Sequence, residues 1–142
     1  MHGTAWARPN RRSGMGHGMG HGMERVEGIG GFFFRAKDPE ALARWYETYL
    51  GIDPVPTGVE TPPWTSKEGV TVFAPFPADT DYFAAERAFM LNFRVRDLDA
   101  MLAQLRSAGI AVSNEQTVEG IGRFAHVHDP EGNPIKLWEP AA

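Results

Sequence analysis

From Gly28 onward the spacing of apolar positions alternates between a strand period and a helix period, and it does so twice. Gly31-Phe32-Phe33-Phe34-Arg35-Ala36 is a β-rich run closed by Lys37-Asp38-Pro39. Asp38 suits an N-cap, and Pro39 suits the first helical position, where its missing N–H costs nothing. Leu42, Trp45, Tyr46, Tyr49 and Leu50 then recur at helical spacing, up to a Gly51 fit to close the helix. A Pro-rich stretch over 53–64 admits only short or edge strands, and Val70–Ala74 reads as the next good strand.

The second half repeats this grammar. Phe89–Val95 predicts a strand, Asp97 a cap, and Leu98, Met101, Leu102 and Leu105 an apolar helix stripe ended by Gly109. A shift of 59 residues superposes Phe34 on Phe93, Arg35 on Arg94, Lys37 on Arg96, Asp38 on Asp97 and Ala41 on Ala100. One gap later, Gly51-Ile52 meets Gly109-Ile110. The shared order of strand, cap, helix and glycine marks an internal duplication. Module 1 spans about 28–76 and module 2 about 89–140. A hairpin closes the second: Phe124–His128, a turn over Asp129-Pro130-Glu131-Gly132-Asn133, then Ile135–Trp138.

Composition narrows the class. The chain has 142 residues, enough for one domain or two small halves sharing a core, and no cysteine, so disulfides and thiolate chemistry are excluded. No apolar run approaches the roughly 20 residues a bilayer needs, and the net charge of −4 is no footprint for nucleic acid. A soluble, cytoplasmic protein is the expectation. Residues 1–22 hold three arginines, no acid and six of the sixteen glycines, which leaves the other 120 residues with a net charge of −7. Such a Gly/Met/His-rich stretch reads as a disordered tail before a domain over 23–142, with Met23 an alternative start. Its Met15, His17, Met19 and His21 could bind a soft metal ion weakly.

The two modules and the terminal segment HDPEGNPIKLWEP, ending at Pro140, resemble the vicinal oxygen chelate superfamily, which includes glyoxalase I, bleomycin-resistance proteins and extradiol dioxygenases. That superfamily's last hairpin usually reads DP-acid-G-x-x-I-E-L. The resemblance runs from about Gly28 to Pro140 and implies an α+β fold. It would consist of two tandem βαβββ-type modules, each forming half of a barrel-like curved sheet around a cavity. A fold of this kind hosts lyases, epimerases, dioxygenases, hydrolases and drug binders, so chemistry must come from the site.

In metal-using relatives, side chains on the first and last strands of each module hold a cation. Matched one by one, those positions fall on Gly31, near Phe73, on Met90 and on Lys136. Hard divalent cations want oxygen or imidazole donors, and Lys136 brings a positive charge instead. The resemblance therefore implies a lost metal site: no cofactor is expected, and a divalent metal is disfavoured.

With strand period two, the resemblance puts Phe33 and Arg35, Asn92 and Arg94, Phe124 and His126, and Lys136 and Trp138 toward the cavity. Phe33, Arg35, Asn92, Arg94, Phe124 and Trp138 are candidate ligand contacts, with Lys136 and His126 a candidate base and partner acid. Bland readings stand beside these. Arg35 and Arg94 could pair with Asp38 or Asp97, His126 could be a satisfied wall residue, and Lys136 could neutralise a buried acid or be an edge charge. The expectation is a small-molecule-binding protein, its ligand anionic, assembled as a homodimer. The alternatives are a lyase or dioxygenase with a shifted metal site, or a drug-sequestering resistance protein.

Overall fold

The computed structural model describes residues 22–142; the tail reading for 1–22 lies, Gly22 apart, outside the described residues. In chain order the elements are α1 (Pro39–Leu50), β1 (Leu91–Arg94), α2 (Leu98–Ser107), β2 (Ser113–Val118), β3 (Gly122–His128) and β4 (Pro134–Pro140). Both helices begin as the sequence dictates. The Asp38 carboxylate accepts from Ala41 N–H at 3.1 Å, and the Asp97 carboxylate accepts from Ala100 N–H at 3.0 Å. Gly51 closes α1 in the left-handed region at φ 72.

The four strands form one sheet in the order β1-β4-β3-β2, with β1 parallel to β4 and the other pairs antiparallel. Leu91, Phe93, Ala125, Val127, Ile135 and Leu137 leave one face of the sheet. They pack on Leu42 and Tyr46 of α1 and on Leu98, Leu102 and Leu105 of α2. Burying each such leucine or isoleucine stabilises by about 1.5–3 kcal/mol, so this layer is the main source of stability.

The β3–β4 turn is the anchor of the whole arrangement. Asp129, buried, accepts from the backbone N–H of Glu131 and Asn133 and from the side chains of Asn133 and Tyr46. Glu131 reaches the chain before α1, accepting from Lys37 N–H at 2.7 Å and Asp38 N–H at 3.0 Å. The guanidinium of Arg87 donates to the Glu131 carbonyl at 2.6 Å and to Asn133 Oδ1 at 3.3 Å. Glu139 repeats the device at α2, accepting from Leu98 N–H at 2.7 Å.

The first half departs from expectation. Among the described residues all four strands lie in the second half, and neither 31–36 nor 70–74 joins a ladder. The run 31–36 still shows alternation: Phe32 and Phe34 meet Phe89 at 5.1 and 6.1 Å, while Phe33 between them is 94% exposed. A strand is held by its partner's backbone, and among the described residues no strand pairs with this run. Conversely, β2 escapes a hydrophobic-pattern reading because SNEQTV is polar and almost wholly exposed.

Candidate functional site

The face of the sheet opposite the helices carries the chemistry. Register pairs Asn92 with Lys136 and Arg94 with Trp138 across β1 and β4, and His126 with Lys136 and Phe124 with Trp138 across β3 and β4. Six of the sequence-derived candidates therefore stand on one face. Phe33, Arg35 and Phe73 do not join them: Phe73 is 84% exposed, Arg35 is exposed, and none lines the cavity described below. The cause is the missing ladder in the first half.

Within the shared face the side chains have distinct surroundings. Trp138 donates its indole N–H to the Ile121 carbonyl at 2.9 Å and packs with Phe124 and Ile121, a small cluster closed by Val72 and Val118. Arg94 pairs with neither Asp38 nor Asp97. Its guanidinium instead donates to the carbonyls of Lys67 at 2.9 Å and Glu68 at 3.1 Å, over Gly69, where a Cβ would lie 1.9 Å from Nη1. Arg94 thus clamps a loop, and Asn92 faces solvent.

Lys136 is the unusual group. It is 7% exposed on a central strand, which excludes an edge charge. Its Nζ lies 4.1 Å from the centre of the Phe124 ring and 5.4 Å from that of Tyr82. Among the described residues no carboxylate comes within salt-bridge distance of it, so it does not neutralise a buried acid there. The rings attract the cation through their quadrupoles, but they supply no counter-charge. Burial pushes the ammonium below the ordinary lysine range.

Tyr82 joins Lys136 to a cavity of about 430 Å³ that includes Thr80, Tyr82, Met90, Asn114, His126 and His128 in its lining. His126, 4% exposed, places Nε2 at 3.2 Å from the Tyr82 hydroxyl and Nδ1 at 3.1 Å from Asn114 Nδ2. Tyr82 also stacks on Phe76 at 5.6 Å, and burial pushes its phenol up to about 12. Sequence reading missed Tyr82 and Asn114. Tyr82 lies in an irregular segment with no periodic signal, whereas asparagine inside a strand is itself a sign of irregular pairing.

The glyoxalase-like domain family model matches residues 31–138, and the chain belongs to that family, within the vicinal oxygen chelate superfamily. Among solved structures, the antibiotic binding protein TnmS3 from a Streptomyces species is 26% identical with a TM-score of 0.56, covering 83% of this chain and 99% of that one. A glyoxalase/bleomycin resistance protein/dioxygenase superfamily member from Sphaerobacter thermophilus is 18% identical with a TM-score of 0.55, covering 80% and 98%. A lactoylglutathione lyase from Agrobacterium tumefaciens is 17% identical with a TM-score of 0.53, covering 82% and 96%. No curated protein matches the chain.

The four places that the resemblance marks for a metal fall on Gly31, near Phe73, on Met90 and on Lys136. Gly31 offers no side chain, Phe73 only carbon, Met90 a thioether and Lys136 a cation. Among the described residues no group of three or more His, Asp or Glu is placed to hold an ion.

Proposed function

We propose that this chain is a small-molecule-binding protein of the glyoxalase/bleomycin-resistance type. Its ligand lies on the helix-distal face and sets an anionic group against Lys136, where relatives set a metal. The observation that carries this is the desolvated Lys136 ammonium, walled by Phe124 and Tyr82, with no carboxylate within salt-bridge distance among the described residues. An uncompensated cation in an apolar setting gains most from a ligand that supplies the missing charge. The neighbouring cavity has a mixed lining, with Phe83, Met90 and Val127 beside Thr80, Asp81, Asn114 and His126, and a concavity of that size takes small molecules. The antibiotic-binding description of TnmS3, at 26% identity, supports binding over turnover.

The test is a thermal-shift screen of small carboxylates, phosphates and aromatic acids, followed by titration of the best binder. Lys136→Met keeps most of the stem volume and should weaken binding ten- to a hundredfold, the effect of losing a charge-assisted hydrogen bond of roughly 1.5–3 kcal/mol. Lys136→Glu should weaken it further by repelling the anion. A binder whose affinity is the same in wild type and Lys136→Met would reject the reading.

We also infer that two copies pair and complete the second half-barrel. Support comes from Phe33, Val70 and Phe73, all exposed in the single chain, and from extended runs at 31–36 and 70–74 without a ladder. The short β1 is an edge strand able to accept a partner. Light scattering at tens of micromolar should give twice the chain mass; a sharp monomer mass rejects the pairing.

A further inference from the structure

Residues 76–83 form a loop closed on itself. Phe76 at its start stacks on Tyr82 at 5.6 Å and meets Phe83 at its end at 5.9 Å. Inside it, Thr80 N–H donates to the Pro77 carbonyl at 3.0 Å, and Tyr82 N–H donates to the Thr80 hydroxyl at 3.2 Å. A short segment whose ends meet and whose own side chains pack it is a compact unit. Among the described residues it joins no ladder. The chain on either side is anchored: Val72 packs on the cluster of Ile121, Phe124 and Trp138, and Arg87 donates to the Glu131 carbonyl at 2.6 Å. Exposed Ala84, Ala85 and Glu86 connect the loop to that second anchor.

The loop and the sheet enclose the cavity between them. Thr80, Tyr82 and Phe83 line one side, and Asn114, His126 and His128, from β2 and β3, line the other. Lys136 does not line it. The Tyr82 ring stands between the two, facing the cavity and lying over the ammonium at 5.4 Å. Phe124, the other ring over Nζ at 4.1 Å, belongs to β3 and is fixed by the sheet. Tyr82 is instead held by side-chain contacts, among them His126 Nε2 at 3.2 Å from its hydroxyl. Because Lys136 is only 7% exposed, a ligand group reaches it only when a cover moves, and Tyr82 is the cover on an irregular segment.

We propose that the 76–83 loop is a flap that gates Lys136. It opens as a unit against its two anchors, lifts the Tyr82 ring from the ammonium, and joins the cavity and the cation in one pocket. The ligand that fits has a body in the cavity and an anionic group reaching past Tyr82. The inference rests on the reading of Lys136 as the anion site. Flaps of this kind exclude water from a closed site and turn on a few small residues at their ends.

The test uses the full chain and no ligand, so its failure is distinct from that of the binding reading. Lys37 and Lys67, the chain's other lysines, are exposed and serve as internal standards. N-hydroxysuccinimidyl acetate labels each amine at a rate read by peptide mass spectrometry. An open state populated at about 0.1–10% should slow Lys136 roughly ten- to a thousandfold against the standards. Low urea should change that rate little, while hydrogen exchange of the β3 and β4 amides, which reports unfolding, rises steeply. Phe76→Ala unties the base of the flap without touching Lys136 and should speed its labelling, with β3 and β4 protection kept. Three results overturn the proposal: Lys136 labelled as fast as Lys37, labelled only in step with unfolding, or labelled no faster in a folded Phe76→Ala. If that variant fails to fold, the urea dependence of wild type still decides.

Discussion

Tyr46 donates its hydroxyl to Asp129 Oδ2 at 2.6 Å, tying the first helix to a turn that follows it by 83 residues. The bond is buried, and Oδ2 also accepts from the Asn133 amide at 2.7 Å. Tyr46→Phe therefore leaves the carboxylate with other donors and should cost about 1–2 kcal/mol, one net buried hydrogen bond. Asp129→Ala removes four accepted bonds at once and should cost more than 3 kcal/mol or abolish folding. Urea unfolding of both variants checks the ranking; equal costs would show that the tyrosine bond carries the turn.

The tyrosines also set an alkaline limit. Burial, then the Asp129 carboxylate, pushes Tyr46 well above its ordinary range, and burial pushes Tyr82 up to about 12. An unfolded tyrosine releases its proton near pH 10, so above that the unfolded chain binds fewer protons and stability falls as pH rises. Each tyrosine contributes up to about 1.4 kcal/mol per pH unit, with the Tyr82 share ending near pH 12 where its folded form ionises. Tyr82→Phe should flatten the fall between about pH 10 and 12. An unchanged slope in that variant would place Tyr82 in solvent.

Gly122 tests the start of β3. Its φ is 132, and a Cβ there would lie 2.2 Å from the Glu139 carbonyl oxygen and 2.9 Å from the Trp138 indole nitrogen. The obstructing oxygen belongs to the paired strand and cannot swing aside. Gly122→Ala should lower stability by roughly 2–4 kcal/mol, combining strain and overpacking. Gly120→Ala, with nothing within 4 Å of its Cβ, meets only backbone strain and should cost about 1–2 kcal/mol. Equal melting temperatures for the two variants would contradict this.

What the sequence announced and what it hid follow one physical line. Both Asp caps, the Gly51 stop and the terminal hairpin were legible because each depends on residues within a few positions of one another. Strand period made Phe124 and His126 legible as one face of their strand and Lys136 and Trp138 as one face of theirs, whereas setting the two strands on a common face came from the resemblance. The first-half strands failed because pairing is non-local, and a β-rich run such as 31–36 says nothing of what lies beside it. The loop contacts of Arg94 were hidden for the same reason: its carbonyl partners lie 26 and 27 positions away in an irregular loop. Tyr82 reaches His126 across 44 positions and Asn114 does so through a bulge, neither of which leaves a period to detect.

The last expectation concerns metal. Protein starting at Met23, dialysed against chelator, should hold no stoichiometric divalent ion by elemental analysis. The truncation matters because Met15, His17, Met19 and His21 are themselves donors and would confuse the count. Tight binding of zinc or iron takes at least three protein donors, and the positions that the resemblance marks for a metal fall on Gly31, near Phe73, on Met90 and on Lys136. Met90 alone offers a lone pair, and a thioether suits soft ions rather than hard ones. Lys136→Glu restores one carboxylate but leaves glycine and phenylalanine in place, so it too should remain metal-free while losing affinity for an anionic ligand. One equivalent of zinc, iron, manganese or nickel retained by wild type would mean that other side chains on this face converge on a cation, and that Lys136 does not stand in its place.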